Sequence, residues 1–198
     1  MCRLFETIKV LNGAVQNIEF HNKRLNRSRA MLFNRSDLIE LRDFIVVPRE
    51  YREGIIKCRV TYATDIDMIK YERYVKRNIS TLKIINCDGI DYAHKYCDRS
   101  GIDRLFALRG GCDDIIIVKD NRITESSFCN LVFDDGTKLF TPDTPLMRGT
   151  KRNRLIAEGI IVQDRIGLKD LKLFKAVHLI NAMLDLNECR VEIDNVHT

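Results

Sequence analysis

The stretch 113-DDIIIVKDNRITESSFCNLVFDD-135 decides the fold class of this chain. Its four consecutive apolar residues, 115-IIIV-118, predict a buried strand. The Asp120-Asn121 pair that follows predicts a tight turn, and two more strand-like segments come after it. The stretch therefore predicts a sheet interior, and it places the carboxylate of Glu125 on one of the strands.

The rest of the chain alternates between strand-like and helix-like patterns, which predicts an α/β (α+β) protein. The predicted strands are 3–10, 14–18, 54–63, 68–75, 81–86, 113–121, 122–126, 130–135, 138–142, 160–166 and 176–184. The predicted helices are 19–33, 37–46 (capped by Ser36), a helix from Asp98 or Ser100 to about Arg109, 151–158 and 168–172. A polar, turn-prone segment at 87–92 predicts two lobes, a small N-terminal α/β lobe (1–88) and a larger C-terminal lobe (89–198).

The composition is that of an ordinary globular protein, with 198 residues and 45% hydrophobic residues. No apolar run approaches the length of a membrane span, and the start lacks a signal-peptide core, so we expect no membrane association. The cysteines show no C-x-x-C pair and no regular spacing, which predicts reduced thiols in the cytoplasm. They are Cys2, Cys58, Cys87, Cys97, Cys112, Cys129 and Cys189. No histidines stand at ligand spacing, so no metal site is predicted.

The net charge of +5 comes with two basic clusters, at 21–35 and 148–154. One interpretation is a solvated helix face, which ranks ahead of a nucleic-acid-binding surface that neutralises backbone phosphates. In a third interpretation, a few arginines bind one anionic small molecule. This interpretation becomes the best one when the motifs described next are considered.

Three segments, and one arginine on the first predicted helix, carry groups with specific chemistry. Lys95 lies in a loop, where a lysine is usually solvated, but its amine can form a Schiff base if it loses its proton. Glu125 lies among apolar strands and can interact with a ring nitrogen, although an outward-facing position is common. Gly149 precedes a helix, whose unpaired amides favour a phosphate, and Arg24 can reach an anion with a forked pair of hydrogen bonds.

Taken together, these segments resemble the class IV aminotransferase family, also called fold-type IV pyridoxal phosphate (PLP) enzymes. The opening FETIKVLNG looks like the family's first strand and turn, and 21-HNKRL-25 is similar to its H-x-x-R-L helix. The run 125-ESSFCN-130 matches E-x-x-x-x-N, residues 149–152 look like the G-x-T-R phosphate turn, and 180-INAML-184 looks like the second phosphate-side strand.

The resemblance implies a role for each matching residue. Lys95 would form the Schiff base and shuttle protons, Glu125 would contact the pyridine nitrogen, and Arg24 would hold the phosphate. The full set of implied cofactor-binding residues is Arg24, Lys95, Glu125, Asn130, Gly149, Thr150, Lys151, Asn181 and Ala182. Two arginines are candidates for binding substrate carboxylates: Arg59 on a strand, where a structural ion pair is the more ordinary role, and Arg99.

The resemblance also implies a two-lobe, D-amino-acid aminotransferase-like fold with PLP between the lobes, a small-molecule amino substrate and a homodimer. Two short segments, K-Y-C-D-R at the lysine and 181-NAML-184, are more similar to 4-amino-4-deoxychorismate lyase than to the aminotransferases. That lyase eliminates pyruvate to give 4-aminobenzoate for folate biosynthesis. An amino-acid aminotransferase, for branched-chain or D-amino acids, is the alternative, and a basic polyanion-binding protein without catalysis is a more distant one. The chain departs from the family pattern at Lys151, where threonine is frequent, and it reads as a shortened member because the usual strands before F-E-T are absent.

Overall fold

The computed structural model describes residues 2–198, which form two compact units. The first unit comprises the chain up to Val75 together with His94–Asp98. The second comprises Lys76–Ala93 and Arg99–Thr198. Each unit contains its own sheet, and the mixed α/β class expected from the sequence is confirmed.

The first unit is built on a four-stranded antiparallel sheet with the order β2-β1-β3-β4. Its strands are β1 (Leu4–Leu11), β2 (Ala14–Val15), β3 (Ile55–Tyr62) and β4 (Ile66–Arg73). Asn12 and Gly13 join β1 to β2 with φ angles of 47° and 82°, which is the left-handed backbone that an Asn-Gly hairpin turn favours. The predicted return strand at 14–18 is shorter than expected, with two residues.

Helix α1 (Ile18–Phe33) packs on this sheet, as the helical pattern at 19–33 predicts. Leu25 of the helix is fully buried in the same apolar cluster as Leu4, Ile8 and Val10 of β1. The helix ends at Asn34, whose φ of 53° is left-handed.

The helix expected at 37–46 does not form. Only a short 3-10 turn, Leu41–Asp43, is present there. The reason is competition from α1: Asn26 accepts a hydrogen bond from the amide of Ile39 at 2.9 Å, and Asn22 accepts one from the amide of Leu41 at 3.0 Å. These side chains hold the segment as an irregular chain against the helix.

The segment His94–Asp98 belongs to the first unit because it pairs with β1. The amide of Phe5 donates to the carbonyl of Lys95 at 2.9 Å, and the amide of Cys97 donates to the carbonyl of Arg3 at 2.8 Å. The division of the chain therefore differs from a single boundary at residue 88, and Lys95 falls in the first unit rather than the second.

The second unit contains a sheet with the order β10-β9-β8-β7-β6-β5-β13, and β11 pairs with both β8 and β12. Its strands are β5 (Leu82–Asn86), β6 (Asp114–Lys119), β7 (Arg122–Ser126), β8 (Asn130–Asp134), β9 (Leu139–Pro142), β10 (Val162–Asp164), β11 (Ala176–Ile180), β12 (Arg190–Glu192) and β13 (Val196–His197). Strand β5 runs parallel to β6, which places it in the second unit.

The centre of this sheet is the stretch that decides the fold class. Ile115, Ile116 and Ile117 of β6 are completely buried. The turn after β6 is the tight one expected, with φ angles of 50° at Asp120 and 58° at Asn121. Helices α2 (Ser100–Ala107) and α3 (Thr150–Ala157) and a 3-10 segment (Leu168–Leu173) complete the unit and match the predicted helices. The short strands β12 and β13 were not predicted.

Candidate active site

The second unit places a polar network around Glu125, a carboxylate that is only 5% exposed. Glu125 lies opposite Asn130 in the pairing of β7 with β8. Its Oε2 accepts a hydrogen bond from the amide of Met147 at 2.9 Å and lies 3.3 Å from Nδ2 of Asn130. The same Nδ2 donates to the carbonyl of Met147 at 2.9 Å. The buried carboxylate thus has fixed partners from strand β8 and from the loop before α3, as a group that must orient a bound ring requires.

Asn130 also fixes the turn before α3. Its Oδ1 accepts a hydrogen bond from the amide of Gly149 at 3.1 Å, so one side chain connects Glu125 to the start of the helix. A Cβ atom at residue 149 would lie 2.0 Å from that oxygen, which makes glycine the residue that this contact allows.

Helix α3 begins with Gly149 as its N-cap, without a side-chain cap and without an acidic residue in its first turn. The amides at such a start are suited to an anion, and Thr150 beside them is 3% exposed. The predicted phosphate turn thus lies at the start of a helix, and phosphate binding there stays a prediction.

The two basic residues that follow are engaged with the protein. The ammonium of Lys151 pairs with Oδ1 of Asp185, and the Lys151 side chain is 3% exposed. Arg152 is 2% exposed and donates to Oγ1 of Thr141 at 3.1 Å and to the carbonyl of Pro142 at 2.8 Å. Burial lowers the pKa of Arg152 to about 10, with a further contribution from the charge of Arg148.

Asn181 organises the turn after β11. Its Oδ1 accepts hydrogen bonds from the amides of Met183 at 2.8 Å and Leu184 at 3.0 Å. Its Nδ2 lies 3.1 Å from Sγ of Cys129, in the turn between β7 and β8. Asn181 therefore shapes this turn with its side chain, and Ala182 within it is half-buried.

Arg99, a candidate for binding a substrate carboxylate, contacts the β7–β8 turn. Its guanidinium donates to the carbonyl of Ser127 at 2.7 Å and lies near Oδ1 of Asp103, at 3.6 Å. The observed partners give Arg99 a role in holding the turn between Glu125 and Asn130.

The first unit brings Lys95 to the ring of Phe5. The ammonium of Lys95 lies 4.7 Å from the centre of this ring, and the guanidinium of Arg59 lies 3.7 Å from it. Such contacts of a cation with a ring face are attractive. The predicted lysine and a predicted substrate-binding arginine thus share one aromatic side chain.

Arg24 takes part in a buried cluster on α1 and β1 that also contains Glu6 and His21. Arg24 donates from Nε to Oε1 of Glu6 at 2.8 Å and from Nη2 to Oε2 at 2.5 Å. His21 Nδ1 is 2.6 Å from the same Oε2, and because an ionised carboxylate only accepts, this nitrogen carries the proton. Burial raises the pKa of Glu6, but the charge of Arg24 and the hydrogen bonds from His21 and Arg24 outweigh it, so the pKa falls to about 2.

The pKa of His21 is lowered mainly by burial, although Glu6 acts in the opposite direction. The charge of Lys95 contributes to lowering it as well. At neutral pH the cluster is therefore an ionised Glu6, a neutral His21 and a cationic Arg24.

The predicted site residues fall into two sets. The second unit contains Glu125 together with Asn130, Gly149, Thr150, Lys151, Asn181, Ala182 and Arg99. The first unit contains Lys95, Arg59 and Arg24. Four residues were missed: Glu6, His21, Met147 and Asp185. Glu6 stands inside the FETIKV motif, where a charged residue in an apolar strand was the available signal, and His21 opens the HNKRL motif of the first helix, whereas nothing in the sequence marked Met147 or Asp185.

Comparison with known proteins identifies the class to which this fold and site belong. The family model for amino-transferase class IV matches residues 3–190, so the chain belongs to the class IV aminotransferase family, whose members are PLP-dependent enzymes. An uncharacterized protein from Haemophilus influenzae is 40% identical over 185 residues, which is 92% of this chain and 98% of the relative.

Two solved structures have the same fold. A Haemophilus somnus 129pt protein, provisionally named 4-amino-4-deoxychorismate lyase, is 32% identical with a TM-score of 0.88. The match covers 94% of this chain and 98% of that one. A hypothetical aminotransferase from Mycobacterium tuberculosis in its PLP-bound form is 18% identical with a TM-score of 0.75, over 98% of this chain and 80% of that one. Within the described residues, no helix is long and apolar enough to cross a membrane.

Proposed function

We propose that this protein is a PLP-dependent 4-amino-4-deoxychorismate lyase, which releases pyruvate and forms 4-aminobenzoate. The observation that carries its PLP chemistry is the network in which Asn130 links Glu125 to the turn at Gly149. It joins a buried carboxylate, suited to a pyridine nitrogen, to a helix start suited to a phosphate. We favour the lyase over an aminotransferase because of the segments K-Y-C-D-R and 181-NAML-184 and the similarity to the Haemophilus somnus protein.

Bound PLP supplies an electron sink for the electrons released when a substrate proton leaves. Glu125 would keep the ring nitrogen protonated, and the amides after Gly149 would hold the phosphate. Lys95 would supply the amine that binds the cofactor, and the same amine would serve as the base that moves the proton. Arg24 remains a proposed phosphate contact, held in orientation by its forked hydrogen bonds to Glu6.

Arg59 is the better of the two proposed carboxylate-binding residues. It lies against the same Phe5 ring as Lys95, so a carboxylate bound by its guanidinium would be held near the proposed base. Arg99 donates to the carbonyl of Ser127, which makes its contribution to substrate binding the weaker proposal.

An amino-acid aminotransferase is the second candidate function, and the family itself favours it, since the matching model describes amino-transferases. In that case Lys95 would move the same proton, and the amine would pass to a keto acid instead of pyruvate being released. Family membership makes either enzyme a better account of the chain than a polyanion-binding protein.

The oligomeric state, binding partners and cellular location of the enzyme are also proposals. We infer a homodimer from the family resemblance, and a small-molecule amino substrate without nucleic acid or membrane partners. The cytoplasmic location is supported by the seven cysteines, none of which forms a disulfide within the described residues.

The first test is covalent attachment of the cofactor. Purified protein mixed with PLP should show an absorbance band that borohydride fixes as a mass increase on Lys95. Lys95→Ala should lose the adduct, whereas Lys172→Ala, which removes an exposed lysine, should keep it. An adduct that persists in Lys95→Ala would reject the assignment.

The second test separates the two reactions. Protein loaded with PLP is given 4-amino-4-deoxychorismate, and pyruvate and 4-aminobenzoate are measured; amine transfer from a panel of L- and D-amino acids to 2-oxoglutarate is measured in parallel. Pyruvate release that exceeds transamination supports the lyase. Transamination without pyruvate release supports the aminotransferase instead.

A further inference from the structure

Lys151 is an unusual residue for its position. Its side chain is 3% exposed, yet it ends in an ammonium group, which is costly to bury without a partner. The partner is Asp185, whose side chain is 43% exposed and which lies in the turn after β11. The ion pair therefore joins the first turn of α3 to a different segment of the second unit.

The two joined segments are the ones proposed to hold the phosphate. Gly149 and Thr150 form the start of α3, and Asn181 and Ala182 open the turn that ends at Asp185. Asn181 holds that turn through the amides of Met183 and Leu184, and within the described residues it makes no hydrogen bond to α3. The Lys151–Asp185 pair is thus a polar side-chain link between the two segments, beside the apolar cluster in which Leu155 of α3 packs with Ile180 of β11.

We propose that Lys151 and Asp185 form a positioning pair that sets the distance between the two phosphate-holding segments. This inference rests on the proposed function, because it concerns the phosphate of the cofactor. In this role the ammonium is not a ligand of the phosphate. Where threonine would offer a hydroxyl to the phosphate, Lys151 instead pairs with Asp185 and so positions the backbone of the two segments.

The competing account is that Lys151 binds the phosphate directly as a cation. The two accounts differ in the effect expected from Asp185. If the pair positions the segments, removing either charge weakens phosphate binding. If Lys151 acts directly, neutralising Asp185 frees the ammonium from its competitor and strengthens phosphate binding.

The experiment measures the dissociation constants of PLP and of pyridoxal, which lacks the phosphate, for the apoprotein by fluorescence or absorbance titration. The ratio of the two constants isolates the phosphate contribution from general damage to the fold. The variants are Lys151→Met, Asp185→Asn, the double variant Lys151→Met/Asp185→Asn, which leaves no buried unpaired charge, and the conservative Asp185→Glu. Glu158→Gln is the matched control, because Glu158 caps the C-terminal end of α3, pairs with Arg154 of that helix and has a side chain that is 44% exposed.

A positioning pair predicts that both single variants and the double variant reduce the preference for PLP over pyridoxal by a similar factor, on the order of fivefold or more. Asp185→Glu and Glu158→Gln should keep the wild-type preference. An increased preference in Asp185→Asn, or an unchanged preference in all variants, would overturn the inference. A wild-type protein without any preference for PLP would instead reject the proposed function.

Discussion

The amide of Gly149 and Oδ1 of Asn130 are 3.1 Å apart, and this hydrogen bond leaves no space for a side chain at residue 149. Gly149 has a φ of −64°, so the backbone conformation is open to any residue and only the close approach requires glycine. Gly149→Ala should displace Asn130 and, through it, the partners of Glu125. We expect a loss of about 1–3 kcal/mol in the free energy of unfolding, measured by urea titration, and weaker PLP binding.

Gly111→Ala is the matched control for this steric argument. A Cβ atom at Gly111 would meet no atom within 4 Å, and its φ is not in the left-handed region. This variant should have wild-type stability and cofactor affinity. Equal losses in the two alanine variants would show that the contact with Asn130 is not responsible.

Glu6 should contribute strongly to the stability of the first unit. Glu6→Gln removes the charge that Arg24 and His21 face in a buried site, and we expect a loss of about 3 kcal/mol in the free energy of unfolding at pH 7. Glu72→Gln, in which the altered carboxylate is 59% exposed, is the control and should change stability by less than about 1 kcal/mol.

The Glu6 carboxylate also predicts that the protein loses stability at acidic pH. Its pKa is about 2 in the folded protein, against an ordinary value of 4.5, so the unfolded chain binds the proton first as the pH falls. The stabilisation is complete above pH 4.5 and is lost as the pH approaches 2. Urea titrations between pH 6 and pH 3 should show that the free energy of unfolding falls less steeply with decreasing pH in Glu6→Gln than in the wild type. The same pH dependence in both proteins would contradict the assignment.

His178 predicts a second pH dependence, at a higher pH. The ring is 2% exposed, and neither nitrogen has a hydrogen-bond partner among the described residues. Oδ2 of Asp134 lies 3.8 Å from Nε2, which is too long for a hydrogen bond, so we treat this contact as electrostatic only. Burial lowers the pKa of His178 below its ordinary value of 6.5, and Asp134 offsets part of the shift.

Because the unfolded chain takes up the proton first, the wild type should lose stability as the pH falls below 6.5, at up to about 1.4 kcal/mol per pH unit. His178→Leu removes the titrating group and should have a flatter profile between pH 7.5 and pH 5.5. His197→Leu, at an exposed position, should retain the wild-type profile. Identical profiles for wild type and His178→Leu would rule out this role.

Arg29 should be indispensable for the irregular segment after α1. It is completely buried and donates to the carbonyl of Thr64 at 2.7 Å and to the carbonyl and Oδ2 of Asp37 at 2.6 and 2.8 Å. Arg29→Met leaves these acceptors without their donor, and we expect a loss of at least about 3 kcal/mol in the free energy of unfolding. Arg27→Met, on the exposed side of the same helix, should be nearly neutral, and a large loss there would contradict the argument.

The strands of both sheets were largely predictable because local patterns specify them. The alternation in β1, the Asn12-Gly13 turn and the isoleucine run in β6 each depend on neighbouring residues only. The segment 37–46 was not predictable in this way. Its apolar pattern suits a helix, but the side chains of Asn22 and Asn26 bind its backbone from another element.

The sequence by itself determined the chemical inventory of this protein: an amine at 95, a carboxylate at 125 and a glycine before a helix at 149. It did so because motif spacing and residue type are local properties. Only the tertiary structure decided that Asn130 connects Glu125 to Gly149, that Glu6 fastens Arg24, and that Lys151 pairs with Asp185. These partners are 5 to 34 residues apart in the chain, and most of their contacts exist only once strands from distant segments have paired.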